Sequence, residues 1–131
     1  MKTNSLKTNQ LSTGVYDWYL TYLEAIDSQD LKAYSNFLSE ECVMYFNNDS
    51  YKGKSAILQN LSQYWQTFES VNHDLLNIYG NDSSFVLEAL NHYQRKDGKN
   101  ITVRAVAITD RNDNGLVTSF RLYSDTTPLF G

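Results

Sequence analysis

Apolar residues recur at three- and four-residue steps through the first half of the chain and at every second position through most of the rest. Val15, Trp18, Tyr19, Tyr22, Leu23 and Ile26 fall on one face of a helix. Ser12 or Thr13 is suited to cap its start. Ser28-Gln29-Asp30 interrupts it, and Asp30 can cap a second, short helix that turns Leu31, Tyr34, Phe37 and Leu38 inward. Residues 42–47 are apolar and β-prone and predict a short strand, followed by a loop over 47–50. A third helix after Gly53 carries Ile57, Leu61, Tyr64, Trp65 and Phe68 on one face. From about residue 71 the period is two, and four strands are expected at 72–79, 84–95, 100–110 and 116–124. Gly80-Asn81-Asp82, Asp97-Gly98 and Asn112-Asp113-Asn114-Gly115 separate them with residues that tolerate positive φ. Residues 1–11 are polar and aperiodic, which predicts a flexible N-terminal tail ahead of one domain over 12–131.

Helices segregated from an antiparallel meander define an α+β fold. A length of 131 residues suits one domain with one core. Ten Tyr, six Phe and two Trp supply amphipathic rings for core packing or for a half-wet cavity. A net charge of −4 and the lack of a Lys/Arg cluster argue against nucleic-acid binding. Cys42 is the only cysteine, which excludes an internal disulfide and suggests a small buried filler. Two histidines and one cysteine offer no spaced metal set, so no metal is expected. The N-terminus lacks the apolar run of a signal peptide, and no stretch approaches the ~20 apolar residues of a membrane span. A cytoplasmic protein without membrane contact is expected.

Three local patterns carry a family resemblance. Gly53-Lys54-Ser55-Ala56-Ile57 opens the third helix, Tyr93-Gln94-Arg95-Lys96-Asp97-Gly98 forms a hairpin, and Arg121-Leu122-Tyr123-Ser124-Asp125-Thr126-Thr127-Pro128-Leu129 ends the chain. In this order they resemble the nuclear transport factor 2-like superfamily over roughly residues 14–130. That superfamily includes SnoaL-like polyketide cyclases, ketosteroid isomerases and limonene-epoxide hydrolases. The resemblance implies a cone-shaped, curved antiparallel sheet, with three helices closing a pocket. It further implies a small hydrophobic or aromatic ligand, no cofactor, and a homodimer through the outer sheet face.

Strand alternation assigns Phe85, Leu87, Ala89, Asn91 and Tyr93 to one pocket face, Val103, Ala105 and Ala107 to a second, and Ser119, Arg121, Tyr123 and Asp125 to a third. By resemblance, Asp125 stands where epoxide hydrolases and some SnoaL-like cyclases hold a general base. Tyr45 and Asn47 resemble the pair that holds water in the epoxide hydrolases, and Tyr22 falls at the oxyanion-donor position of the ketosteroid isomerases. Ala89 and Asn91 replace the Arg and Asp of the epoxide hydrolases, which argues against their mechanism, since an amide cannot deliver a proton as a carboxylic acid does. Arg121 is either an anion-binder or a partner for Asp125, and Tyr93 and Tyr123 are expected to orient a polar oxygen. Two functions follow: a cofactor-independent SnoaL-like cyclase, isomerase or hydratase using Asp125 as base, or a non-catalytic ligand-binding or protein-interaction module.

Overall fold

The computed structural model describes residues 1–131 as an α+β fold in which one seven-stranded sheet curls around three helices. The elements run β1 (Thr8–Asn9), α1 (Thr13–Asp27), α2 (Leu31–Ser35), β2 (Leu38–Phe46), β3 (Asp49–Lys52), α3 (Lys54–Trp65), β4 (Ser70–Asn81), β5 (Ser84–Gln94), β6 (Asn100–Arg111), β7 (Val117–Tyr123) and α4 (Thr127–Phe130). The sheet order is β1-β4-β5-β6-β7-β2-β3. Its long strands pair antiparallel, except that β2 lies parallel to β7 and the two-residue β1 parallel to β4. No helix is long and apolar enough to cross a membrane.

Local chemistry sets the helix starts. Ser12 Oγ accepts the Val15 N–H at the head of α1, and Asp30 Oδ1 accepts the Ala33 N–H at the head of α2. Gly80 turns β4 into β5 at a φ of 124°, and a Cβ there would lie 2.4 Å from the Ser84 carbonyl oxygen, so no other residue fits without moving backbone. One core of 24 buried residues lies between the helices and the concave sheet face. Tyr19, Tyr34, Ile57, Leu75, Ile78 and Phe85 are each at most 1% exposed within it.

Three elements differ from expectation. Leu38 begins β2 rather than ending α2, and Asp49 and Ser50, the second half of the expected 47–50 loop, belong to the edge strand β3, which pairs with β2. Residues 1–11, expected as a flexible tail, instead lie along the free edge of β4. Lys2 N–H donates to the His73 carbonyl (2.7 Å), Lys7 N–H to Leu76 (2.9 Å) and Gln10 N–H to Ile78 (3.1 Å). Edge pairing uses only backbone groups, so it imposes no side-chain period by which a sequence could reveal it.

Candidate functional site

The concave face and the helices enclose a cavity of about 80 Å³ lined by 21 residues, of which only His73, Asn91 and Thr109 are neither apolar nor aromatic. Strand alternation builds its sheet wall. Residues directly opposite one another in an antiparallel ladder share a face. Ala89 pairs Ala105, Leu87 pairs Ala107, and Ala107 pairs Leu122, so each pair points inward together. The small side chains at 89, 105 and 107 leave the space. The rest of the wall is largely aromatic: Phe68 meets Tyr93 edge-on at 4.9 Å and Tyr64 at 5.2 Å, the T-shaped arrangement that ring quadrupoles favour.

The tyrosine hydroxyls are paired. Tyr22 and Tyr34 share a hydrogen bond of 2.9 Å, and Tyr64 and Tyr93 one of 3.2 Å. Burial pushes the pKa of all four well up, so each remains a protonated donor. Cys42 is also buried, and its thiol is pushed up to about 12, which leaves it an inert filler.

The strongest polar feature of the site is an acid–histidine pair. Asp27 ends α1 with its side chain only 6% exposed. Its Oδ1 lies 2.5 Å from His73 Nδ1 on β4, while its Oδ2 accepts the His73 backbone N–H at 3.1 Å and meets the Met1 amino group at 3.3 Å. Burial pushes the Asp27 carboxyl up, but the hydrogen bonds and charge of His73, aided by the amino group, outweigh it and hold the pKa below its ordinary value. An ionised carboxylate only accepts, so Nδ1 carries a proton, and in the neutral imidazole Nε2 is the nitrogen with the free lone pair. The imidazole forms part of the cavity wall. A carboxylate-oriented imidazole beside an apolar cavity is the arrangement of a general base.

Of the residues singled out from sequence, Tyr22, Asn91 and Tyr93 line this cavity and the other five do not. Asp125 is exposed; its Oδ1 accepts the Thr127 N–H at 3.0 Å, and Thr127 holds its carboxyl below the usual range. It caps the turn into α4, and a solvated, acid-shifted carboxylate is a poor base for a cavity it does not border. Tyr123 is 44% exposed, and with Asp125 and Asn47 it borders an open depression outside the sheet. Arg121 points the same way and meets Asp110 at 3.5 Å. Tyr45, opposite Arg121 in the ladder, is also on the outer face. Asn47 takes a left-handed turn at a φ of 53° and clasps Ser124, donating to its carbonyl at 2.8 Å and accepting its N–H at 3.1 Å.

The β7 assignment fails for a physical reason. Ser119 to Tyr123 alternate without interruption, but the expected face is the wrong one of the two: Phe120 pairs Thr109 and Leu122 pairs Ala107, and all four line the cavity. Phe120 and Leu122 therefore face inward, and Arg121 and Tyr123 outward. Asp27 and His73 were not found from sequence, where they are 46 residues apart and each ends or begins an element. The signal available was Asp27 one turn beyond the apolar Leu23, on the inward face of α1.

Among curated proteins none matches the chain. Solved structures share its fold. A protein assigned as a SnoaL-like polyketide cyclase from Shewanella denitrificans OS-217 superposes with a TM-score of 0.77 at 16% identity, covering 88% of this chain and 93% of that one. An epoxide hydrolase of the limonene-epoxide-hydrolase-like type from M. tuberculosis gives 0.74 at 14% identity over 91% and 88%. A protein of ketosteroid isomerase-like fold from Catenulispora acidiphila DSM 44928, in complex with trimethylamine, gives 0.74 at 12% identity over 85% and 87%. At these identities the likeness is one of fold. The family model of the SnoaL-like domain matches residues 19–120, and the chain belongs to this family of the nuclear transport factor 2-like superfamily.

Proposed function

We propose that the protein is a cofactor-independent enzyme that moves a proton on a small apolar molecule, with His73 as general base. The observation that carries this reading is the Asp27–His73 pair set into the wall of an otherwise apolar cavity. His73 Nε2 takes a proton from carbon next to a carbonyl, and Asp27 holds the Nδ1 proton and stabilises the imidazolium that forms. Two hydroxyls that share one hydrogen bond spend one hydrogen, so each tyrosine pair retains a second O–H. One such O–H stabilises the oxygen on which the enolate charge develops, in a site where little water screens it. Isomerisation, cyclisation and loss of water all begin with this step. Epoxide opening by paired acids does not fit, because Ala89 and Asn91 put no acid on that wall.

Proton NMR in D2O with cyclopentanone as probe tests the reading. The native protein is expected to exchange the α-hydrogens, and His73→Asn to lower the rate about 100-fold or more. Exchange that is absent from the native protein, or equal in His73→Asn, rejects it. Asp125→Asn is expected to leave the rate unchanged.

A second reading, a binding module without chemistry, is favoured by the mutual pairing of the tyrosines, which leaves the cavity internally satisfied at most points. It predicts ligand binding with no exchange. In either case we propose a homodimer through the outer sheet face, supported by the exposed Tyr45, Val106 and Tyr123 there.

A further inference from the structure

Two hydrogen-bond acceptors of the cavity wall are unspent. Asn91 is 4% exposed, and its Oδ1 receives no hydrogen bond from the protein. The other is Nε2 of the neutral His73 imidazole, whose Nδ1 alone is engaged with Asp27. His73 and Asn91 are direct partners in the β4–β5 ladder, which brings their Cβ atoms to about 5 Å from each other. Asn91 and Tyr93 stand two residues apart on the same inward face of β5, and both line the cavity.

A buried carbonyl oxygen without a partner has lost its hydration and gained nothing in return. A ligand that brings an N–H or O–H removes that cost; an isostere that lacks one leaves it in place. The rest of the wall narrows the choice further. No Lys or Arg lines the cavity, so a carboxylate or phosphate would sit there uncompensated. At about 80 Å³ the space is well below the ~300 Å³ at which drug-sized pockets begin.

Resting on the site as read above, we infer that its substrate is a small uncharged molecule with an apolar frame and one N–H or O–H donor, and that Asn91 Oδ1 receives that donor. The hydrogen bond turns the molecule so that its reacting carbon faces His73, directly opposite in the ladder.

Pyrrole and furan are the probes, because they share a ring size and differ in one N–H. Binding is read from amide chemical shifts in 15N NMR at millimolar ligand. The native protein is expected to bind pyrrole at least tenfold more tightly than furan. Asn91→Leu, matched in size and lacking the acceptor, should bring the two within about twofold by weakening pyrrole. If that variant fails to fold, the Asn91 side-chain NH2 resonances of the native protein report instead, and pyrrole must shift them further than furan does. Equal or tighter binding of furan overturns the inference. So does a pyrrole preference that survives in Asn91→Leu, or no binding of either ring, which would mean that the oxygen is satisfied by a retained water. His73→Asn separates the two ideas, since it should abolish exchange of cyclopentanone while keeping the pyrrole preference.

Discussion

Asp27 is the residue on which the site's electrostatics turn. Its carboxyl titrates below its ordinary value of 3.8 in the folded protein. The native state therefore binds fewer protons than the unfolded chain as the pH falls toward that range. The stabilisation is fully present above pH 3.8 and is lost as the pH drops through the lower, folded value. Urea midpoints measured down the acid range should show this loss, and Asp27→Asn should flatten that part of the profile. At neutral pH, Asp27→Ala should cost about 3 kcal/mol, because it leaves His73 and the Met1 amino group unpaired in a buried place. An unchanged profile in Asp27→Asn would mean that the pairing contributes nothing to stability. Such a residue is hard to see in a sequence. Asp27 sits where a helix ends, and a carboxylate there reads as a solvated terminus until a strand 46 residues later presents a histidine to it.

At the scale of elements, β7 shows how local regularity can mislead. Period and turn chemistry were enough to expect α1, α3 and the four long strands, since each buries one face over most of its length. The inward faces of β5 and β6 were legible for the same reason: Ala89 and Asn91 stand opposite Ala105 and Val103 without interruption. On β7 the two faces carry similar mixtures of polar and aromatic residues, so the period is legible but its phase is not, and Arg121, Tyr123 and Asp125 were placed on the wrong side. The corrected faces differ sharply in energy. Phe120→Ala should destabilise by about 3–5 kcal/mol, because the ring is 7% exposed and leaves a void. Arg121→Ala should cost about 0.5 kcal/mol, as an outer-face change. Guanidinium denaturation of the two variants reads both, and the reverse order would restore the original face assignment. β1 and β3 were illegible for a different reason: they are short edges held by backbone hydrogen bonds, with little side-chain burial to leave a period.

For the molecule as a whole, the outer sheet face is the feature left without a counterpart. Val86, Leu90, Val106 and Ile108 alternate there with Glu88, Arg104 and His92, and Val106 is 37% exposed. A mixed face of this kind, with an apolar centre and charged neighbours, suits a self-complementary two-fold contact. Light scattering should find a dimer, and Val106→Glu should shift it to monomer without unfolding the chain. A native protein that is monomeric at high concentration would remove the dimer from the reading.

The position of β7 has a further consequence. It is the last long strand made, yet it lies in the middle of the sheet, joining β6 on one side to β2 on the other. A chain emerging from the ribosome can already seat its N-terminal segment and α1 on β4, but its sheet stays in two parts, β2–β3 and β1 with the meander β4–β6, until residues 117–123 are available to zip them together. Through that interval the edges of β2 and β6 are open and the cavity lacks Phe120 and Leu122, so the pairing of greatest sequence separation, and the exposure to aggregation that goes with it, falls on the step that completes the binding chamber.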